Sequence, residues 1–398
     1  MKNFRFLTIV IAFSVFLIAS CEKAIPTDGT LTPHPSNSSA RQSAELSPEL
    51  KARLDQLHSL LVAENQGKLQ PKPNLSSKVN PEYRDLISRV LKVIEPTPCD
   101  ANTPVNQWLD TQLSDWNSDV IGYALETAML DLPTYDALVF ENSSSNQSFG
   151  VNGEYTHQVT KTFKDLKRFW NIESDDLVLA AMHGSMLRDR TKLIRTYTTV
   201  YGLSAPLAAA YADLVLALLD YFPQYRNGDH PIFTFNAFAQ ESFTFPPVGL
   251  IPDKIIMGDG ILEAFTAIGY GDVAPQAILA HEFGHQIQFQ LGVFGDETSP
   301  EATRRTELMA DAYSAYYLSH ARGASMQWKR VQKFFQVFFN IGDCGFTSDG
   351  HHGTPTQRLA AAEWGYNLAN DAQKQGHILT SQEFTARFEA ALPTIVAQ

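Results

Sequence analysis

The sequence contains no run of lysine and arginine residues and no internal repeat. Acidic residues outnumber basic residues by 43 to 31, so the formal net charge is −12 at pH 7. Proteins that bind nucleic acid normally present clustered positive charge to the phosphates, so we expect no nucleic-acid partner. The 398 residues, 44% of them hydrophobic and 19% charged, are typical of a globular protein with one large domain or two.

Cysteine is also scarce, and the first of the three cysteines follows a short apolar segment. Lys2 and Arg5 precede the apolar run 6–18, and small residues separate that run from Cys21. The run is too short for a membrane-spanning helix and has the length of a secretory signal. Because it ends on cysteine, it resembles a bacterial lipoprotein signal peptide, which implies removal of residues 1–20 and lipidation of Cys21. The alternative is an ordinary signal peptide with an incidental cysteine.

A lipid on Cys21 implies a protein of the bacterial cell envelope, attached to a membrane that it does not cross. The sequence leaves open whether that membrane is the inner or the outer one. The other two cysteines, Cys99 and Cys344, would then lie outside the cytoplasm, where a disulfide between them is favoured. Two separate buried thiols are the alternative.

The first half of the chain is predicted to be helical. Residues 21–46 are rich in Ser, Thr, Pro and Asn without an apolar period, which is typical of a flexible tether. Residues 47–230 are predicted to form a helical N-terminal region, with helices from Ser47, over 81–94, 103–132, 157–170 and 174–203, and from Pro206. His183 has no partner at helical spacing, so we expect a core or surface histidine there and not a ligand.

The pattern changes at Pro231, where two strands, 232–238 and 254–257, are predicted before a long helix. That helix is expected to begin with Asp272 as its cap and Pro275 in its first turn, and to end at Gly292. Further helices are predicted at 299–322, 325–341, 356–367 and 381–392. The sequence thus predicts an α+β fold that is mainly α-helical, with residues 231–398 as a second domain.

The long helix carries the segment Ala-His-Glu-Phe-Gly-His at 280–285. His281 and His285 are four residues apart, so both side chains lie on one face about one turn apart. Two imidazoles at this spacing suit one zinc ion, and Glu282 beside them is placed to reach a water on the metal. This is the HExxH pattern of zinc metallopeptidases. The alternative is a helix with two ordinary histidines, because three fixed residues also occur by chance.

A hydrolytic zinc site takes three protein ligands, so a third is expected after His285. Glu307 is the candidate, since the intervening sequence is long enough for a turn and a returning helix. Asp311, one turn beyond Glu307, is expected to accept the second ring N–H of one histidine. Glu297 and Glu301 are rivals for the third ligand, and a solvated acidic helix face is the alternative for Glu307 and Asp311.

The two motifs together resemble the gluzincin metallopeptidases. Residues 280–288 and Glu307-Leu308-Met309-Ala310-Asp311 are most similar to the bacterial neutral zinc metallopeptidases, whose second helix carries Glu-Leu-x-Ala-Asp. Residues 235–239 are similar to an edge strand of the membrane heat-shock and prenyl-protein proteases, and residues 352–359 resemble a histidine-containing segment that returns to the site in both groups. The resemblance covers residues 231–366 and implies a zincin-like core. The prenyl-protein proteases differ, because they space the glutamate much further from the histidines and have membrane helices.

The resemblance implies metal-assisted hydrolysis of peptide bonds. Zinc held by His281, His285 and Glu307 would bring the pKa of a water to about 7 and polarise the scissile carbonyl. Glu282 would take the proton of that water and pass it to the leaving amine.

The oxyanion of such a reaction needs a further hydrogen-bond donor. His352 is expected to supply it, and the other candidates are His351, Tyr313 and Tyr317. A turn histidine that caps the helix at residue 355 is the alternative for His352. A peptide substrate is expected to bind as an added strand along residues 235–239.

The sequence therefore predicts a membrane-anchored zinc peptidase that acts on peptides or proteins in the cell envelope. The alternative is a chaperone-like binding or assembly lipoprotein with a structural or latent zinc site. Glu282 favours the peptidase, because a structural zinc needs no general base and closes its fourth position.

Overall fold

The computed structural model describes residues 46–64, 67, 69–72, 75, 104–294, 299–338, 353–375 and 377–397. They belong to a compact unit, Leu46–Gln398. Several predicted features lie outside the described residues, namely the signal peptide, the tether before Leu46, the helix at 81–94, and Cys21, Cys99, Glu297, Cys344, His351 and His352.

Helices dominate the described residues, and the strands are few and short. In chain order the elements are α1 (Pro48–Glu64), α2 (Pro104–Gln112), α3 (Ser118–Glu126), α4 (Leu132–Phe140), α5 (Thr156–Phe169), β1 (Val178–Met182), α6 (Arg190–Thr199), α7 (Ala205–Tyr221), β2 (Ala237–Gln240), β3 (Phe243–Phe245), β4 (Gly249–Ile251), β5 (Lys254–Gly258), α8 (Asp259–Ala267), α9 (Ala274–Gln290), α10 (Pro300–Ser319), α11 (Trp328–Phe338), α12 (Pro355–Gln375) and α13 (Ser381–Val396). The prediction of a mainly α-helical α+β fold is confirmed.

The main sheet has three strands in the order β1-β5-β2, with β1 parallel and β2 antiparallel to β5. Strands β3 and β4, which lie between β2 and β5 in the chain, form a separate two-stranded hairpin. The outer edge of β1 is closed by side chains of the loop that follows α4. The Leu179 amide donates to Ser144 Oγ at 2.8 Å, and the Ala181 amide donates to Gln147 Oε1 at 2.9 Å.

Two predicted helices are interrupted. The pattern at 103–132 contains α2 and α3, separated at Asn117, whose side chain caps α3 by accepting two backbone N–H groups. The pattern at 174–203 contains β1, a 3₁₀ turn at Gly184–Arg188 and α6. All five residues of β1 are buried, and a short apolar run of this kind fits a helix or a strand equally well by periodicity.

The two strand predictions have different outcomes. The strand at 254–257 is confirmed as β5. The strand at 232–238 is only partly correct, because Pro231–Thr234 form a 3₁₀ turn and β2 begins at Ala237. His230 starts that turn by accepting the backbone N–H of Ile232, and proline favours the first position of such a turn.

Helix α9 lies against the main sheet on one side and against α10 on the other, and α12 packs on α10. Small residues make both helix contacts close. A Cβ atom on Gly284 would lie 3.1 Å from Ala310 Cα, and one on Gly365 would lie 2.3 Å from Ala312 O. Among the described residues no single helix is long and apolar enough to cross a membrane; α7 with the following Pro223–Thr234 passes by length and composition, but the pair is bent by 109°.

Candidate metal centre

Helix α9 carries both histidines of the HExxH segment and is buried over most of its length. Pro275 lies in its first turn and Gly292, with φ of +64°, follows its end, as the sequence predicts. The predicted cap is wrong, because Val273 occupies that position without a side-chain bond and Asp272 pairs with Arg330. The polar side chains of a helix this buried need hydrogen-bond partners inside the protein.

His281 and His285 meet Glu307 of α10 in one buried cluster. Their ligand atoms all lie within 4.8 Å of one another, and the three residues are 3%, 7% and 6% exposed. The Nε2 atoms of the histidines are 3.2 Å apart, and they lie 3.3 and 3.4 Å from the two carboxylate oxygens of Glu307. This group could hold a metal ion.

The second ring nitrogen of each histidine is already committed. His281 Nδ1 lies 3.0 Å from Asp311 Oδ1, and His285 Nδ1 lies 2.8 Å from Gln288 Oε1. Both partner atoms are acceptors, so each Nδ1 carries a proton, and in the neutral ring each Nε2 presents a lone pair. Two imidazole lone pairs and two carboxylate oxygens therefore converge. Such a set of acceptors repels itself unless a cation lies among them, so the residues fit a bound metal.

The charges around the cluster also fit a divalent cation. Glu282, Glu307 and Asp311 are buried carboxylates, and Arg358 is a buried guanidinium. Arg358 binds Asp311 through two hydrogen bonds of 2.8 and 2.9 Å, and its Nη2 lies 4.0 Å from Glu307 Oε2. With the carboxylates ionised and the histidines neutral, these residues have an excess of two negative charges. Buried charge needs compensation, and a divalent ion provides it.

The pKa shifts of the two histidines also indicate that the cluster favours positive charge. Burial lowers the pKa of His281, but the hydrogen bonds that its ring donates to the Asp311 and Glu307 carboxylates outweigh burial and hold that pKa well above its ordinary value. Burial lowers the pKa of His285, which shares the pocket with His281. The cluster thus favours one added positive charge, either a proton or a metal.

Two neighbours of the cluster were not identified from the sequence. Gln288 lies three residues after His285 on the same helix, and this spacing in a buried segment is a local signal for such a contact. Arg358 lies inside the segment 352–359, but no local pattern links it to Asp311. That pairing depends on how α12 packs against α10.

The structure also places the rival residues. Glu301 is exposed in the first turn of α10, well before the buried part of that helix. The Tyr313 hydroxyl is bound to Thr385 Oγ1 and Ser381 O, and the Tyr317 ring packs on Phe169. His183 is no ligand of the cluster, and its Nδ1 lies 2.7 Å from Asp259 Oδ2.

No protein-family model, curated protein or solved structure matches the chain. Function is therefore inferred from these side chains and their geometry.

Proposed function

We propose that the protein is a zinc-dependent peptidase with a zincin-like core, held at a membrane of the bacterial cell envelope by a lipid on Cys21. The observation that carries the proposal is the convergence of two imidazole nitrogens and the Glu307 carboxylate in a buried cluster. Two nitrogens and one carboxylate are a donor set of catalytic zinc sites, and three protein ligands leave a position for water or substrate.

Glu282 supports hydrolysis over a purely structural metal. It is 4% exposed and follows His281 directly on α9, yet it is not part of the ligand cluster. A buried carboxylate in this position can accept the proton of an attacking water and return it to the leaving amine. Bound zinc supplies the Lewis acid that polarises the carbonyl and acidifies the water. His352 remains the expected donor to the oxyanion.

The sheet supports peptide binding along β2. The Gly258 amide donates to Asn236 O, so the backbone groups of alternate β2 residues face β5. The intervening residues, Ala237 and Ala239, turn their N–H and C=O groups to the outer edge. Side chains close the outer edge of β1, whereas Ala239 of β2 is partly exposed, so β2 is the edge that suits an added strand.

The test uses the full-length protein and measures bound zinc together with hydrolysis of labelled casein and of a quenched fluorescent peptide library. We expect Glu282→Gln to keep its zinc and to lose hydrolysis by about 100- to 10,000-fold, the usual contribution of a general base. Glu307→Ala should lose zinc. Glu301→Gln and Glu301→Ala are the matched controls on the exposed turn of α10, and both should behave as wild type.

Each contrary result has a distinct meaning. Loss of zinc from Glu282→Gln would make Glu282 a ligand and remove the general base. A wild-type protein that holds zinc but hydrolyses nothing would favour the envelope binding or assembly protein. A wild-type protein that binds no zinc would end the proposal.

A further inference from the structure

Three glutamines follow His285 on α9, and the side chains of the first two, Gln286 and Gln288, are removed from solvent. Gln286 is 1% exposed and Gln288 is 0% exposed. A buried amide is costly unless its oxygen and nitrogen find partners. The partners of these two amides lie in different parts of the proposed site.

Gln288 links one ligand to the backbone beside another. Its Nε2 donates to Thr306 O at 2.7 Å, and its Oε1 accepts from His285 Nδ1 at 2.8 Å. A carbonyl only accepts, so the contact with Thr306 fixes which end of the amide faces His285. The oxygen end therefore faces the ring, and Nδ1 must carry the proton. One side chain thus frees His285 Nε2 for a metal and holds α10 at the residue before Glu307.

Gln286 makes a different connection. Its Nε2 donates to Gln240 O at 3.2 Å and to Lys254 O at 2.9 Å. Gln240 and Lys254 are paired residues at the end of β2 and the start of β5. Since Gln286 follows His285 directly, these bonds fix the end of β2 relative to α9, the helix that carries both histidines.

We propose that these two amides are positioning residues with separate tasks, Gln288 for the metal ligands and Gln286 for the strand that receives the peptide. The inference rests on the proposed peptidase function and adds to it how the peptide and the metal are brought into register. If both amides were merely structural, substituting either one would lower stability, and neither substitution would change zinc affinity or peptide affinity alone.

The experiment measures zinc affinity, by competition with a chromophoric chelator, and kcat and KM for a fluorogenic peptide that the wild-type chain cleaves. Gln288→Leu should bind zinc about 10- to 100-fold more weakly, the usual effect of losing a group that orients a ligand. Gln288→Glu should have an intermediate zinc affinity, because one carboxylate oxygen still accepts from His285 Nδ1 but the other cannot donate to Thr306 O. Gln286→Leu should bind zinc as wild type but show KM raised about tenfold, with a smaller change in kcat.

Gln290→Leu is the matched control on the same helix, because the exposed amide of Gln290 binds the backbone of Glu173 and not the site. It should leave zinc affinity and KM unchanged. If a leucine variant fails to fold by circular dichroism, Gln288→Asn or Gln286→Asn replaces it, since the shorter amide spans neither pair of partners.

A folded Gln288→Leu or Gln288→Asn that binds zinc as tightly as wild type would overturn the role of Gln288. Equal KM values for wild type and Gln286→Leu or Gln286→Asn would overturn the role of Gln286. In both cases wild type still binds zinc and cleaves peptide, so the proposed function stands. A wild-type chain without zinc would instead overturn the function and this inference together.

Discussion

Gly284 and Ala310 bring the backbones of α9 and α10 into direct contact. A Cβ atom on Gly284 would lie 3.1 Å from Ala310 Cα and 3.3 Å from Tyr313 Cβ. Gly284 precedes His285, and Ala310 precedes Asp311, so the contact sits at the level of the cluster. The absence of a side chain at Gly284 lets the histidines of one helix reach the carboxylates of the other.

Gly284→Val should therefore weaken both folding and metal binding. The added atoms have no space, and overpacking of this kind typically costs about 1–3 kcal/mol. Separation of the helices should also lower zinc affinity, measured by chelator competition. Gly122→Val in α3 is the control, because nothing lies within 4 Å of the corresponding Cβ position. Similar zinc affinities for both variants would contradict this account.

The residues of the cluster could be predicted because helical geometry is local. The four-residue spacing of His281 and His285, and of Glu307 and Asp311, fixes which side chains share a face before any tertiary contact is known. Ser299 and Gly292 mark helix ends by equally local chemistry. The small side chain of Ala310 also indicates that its helix could approach another closely.

Other features depend on contacts between distant parts of the chain. Strand β1 exists because Val178–Met182 pair with β5, some 76 residues later, and its sequence alone fits a helix as well. The partner of Arg358 is set by the packing of α12 on α10. Asp272 has the right residue type for a cap, but its ion pair with Arg330 takes the carboxylate elsewhere.

The pair Asp311 and Arg358 should show strong coupling in a double-mutant cycle. Arg358→Met leaves a fully buried carboxylate without its guanidinium, and breaking a buried pair in this way typically costs about 3–5 kcal/mol. Asp311→Asn should lower zinc affinity about 10- to 100-fold, because His281 loses its charged partner. The double variant should be less destabilised than the sum of the single variants in urea unfolding. Additive losses would show that the two side chains act independently.

Lipidation at Cys21 can be checked with labelled fatty acid in cells. The wild-type chain should incorporate label and fractionate with membranes. Cys21→Ser should incorporate none, because a hydroxyl replaces the thiol that the lipid modifies, and the chain should be either uncleaved or released. Cys99→Ser is the control and should be labelled as wild type. Equal labelling of wild type and Cys21→Ser would exclude this anchor.

Lys254 is a fully buried lysine at the start of β5. Its Nζ donates to Leu138 O at 2.8 Å, to Glu141 O at 3.0 Å and to Asn142 Oδ1 at 2.6 Å. The amino group thus satisfies the carbonyl groups at the end of α4, as a capping group does. The backbone carbonyl of Lys254 accepts a hydrogen bond from Gln286, so the end of α4 and helix α9 both contact β5 at Lys254.

Stability should therefore depend on pH through Lys254. Burial lowers the pKa of Lys254 to about 7 from its ordinary value of 10.5. Between these values the unfolded chain holds a proton that the folded chain lacks, so stability should rise with pH from 7 towards 10, by up to about 1 kcal/mol per pH unit. Lys254→Met should be less stable than wild type at pH 9.5, because the substitution removes the donor to these carbonyl groups. Its urea midpoint should change less than that of wild type between pH 7 and 9.5. Lys161→Met, at an exposed position of α5, should keep the wild-type slope. An unchanged slope in Lys254→Met would show that Lys254 stays protonated in the folded chain across this range.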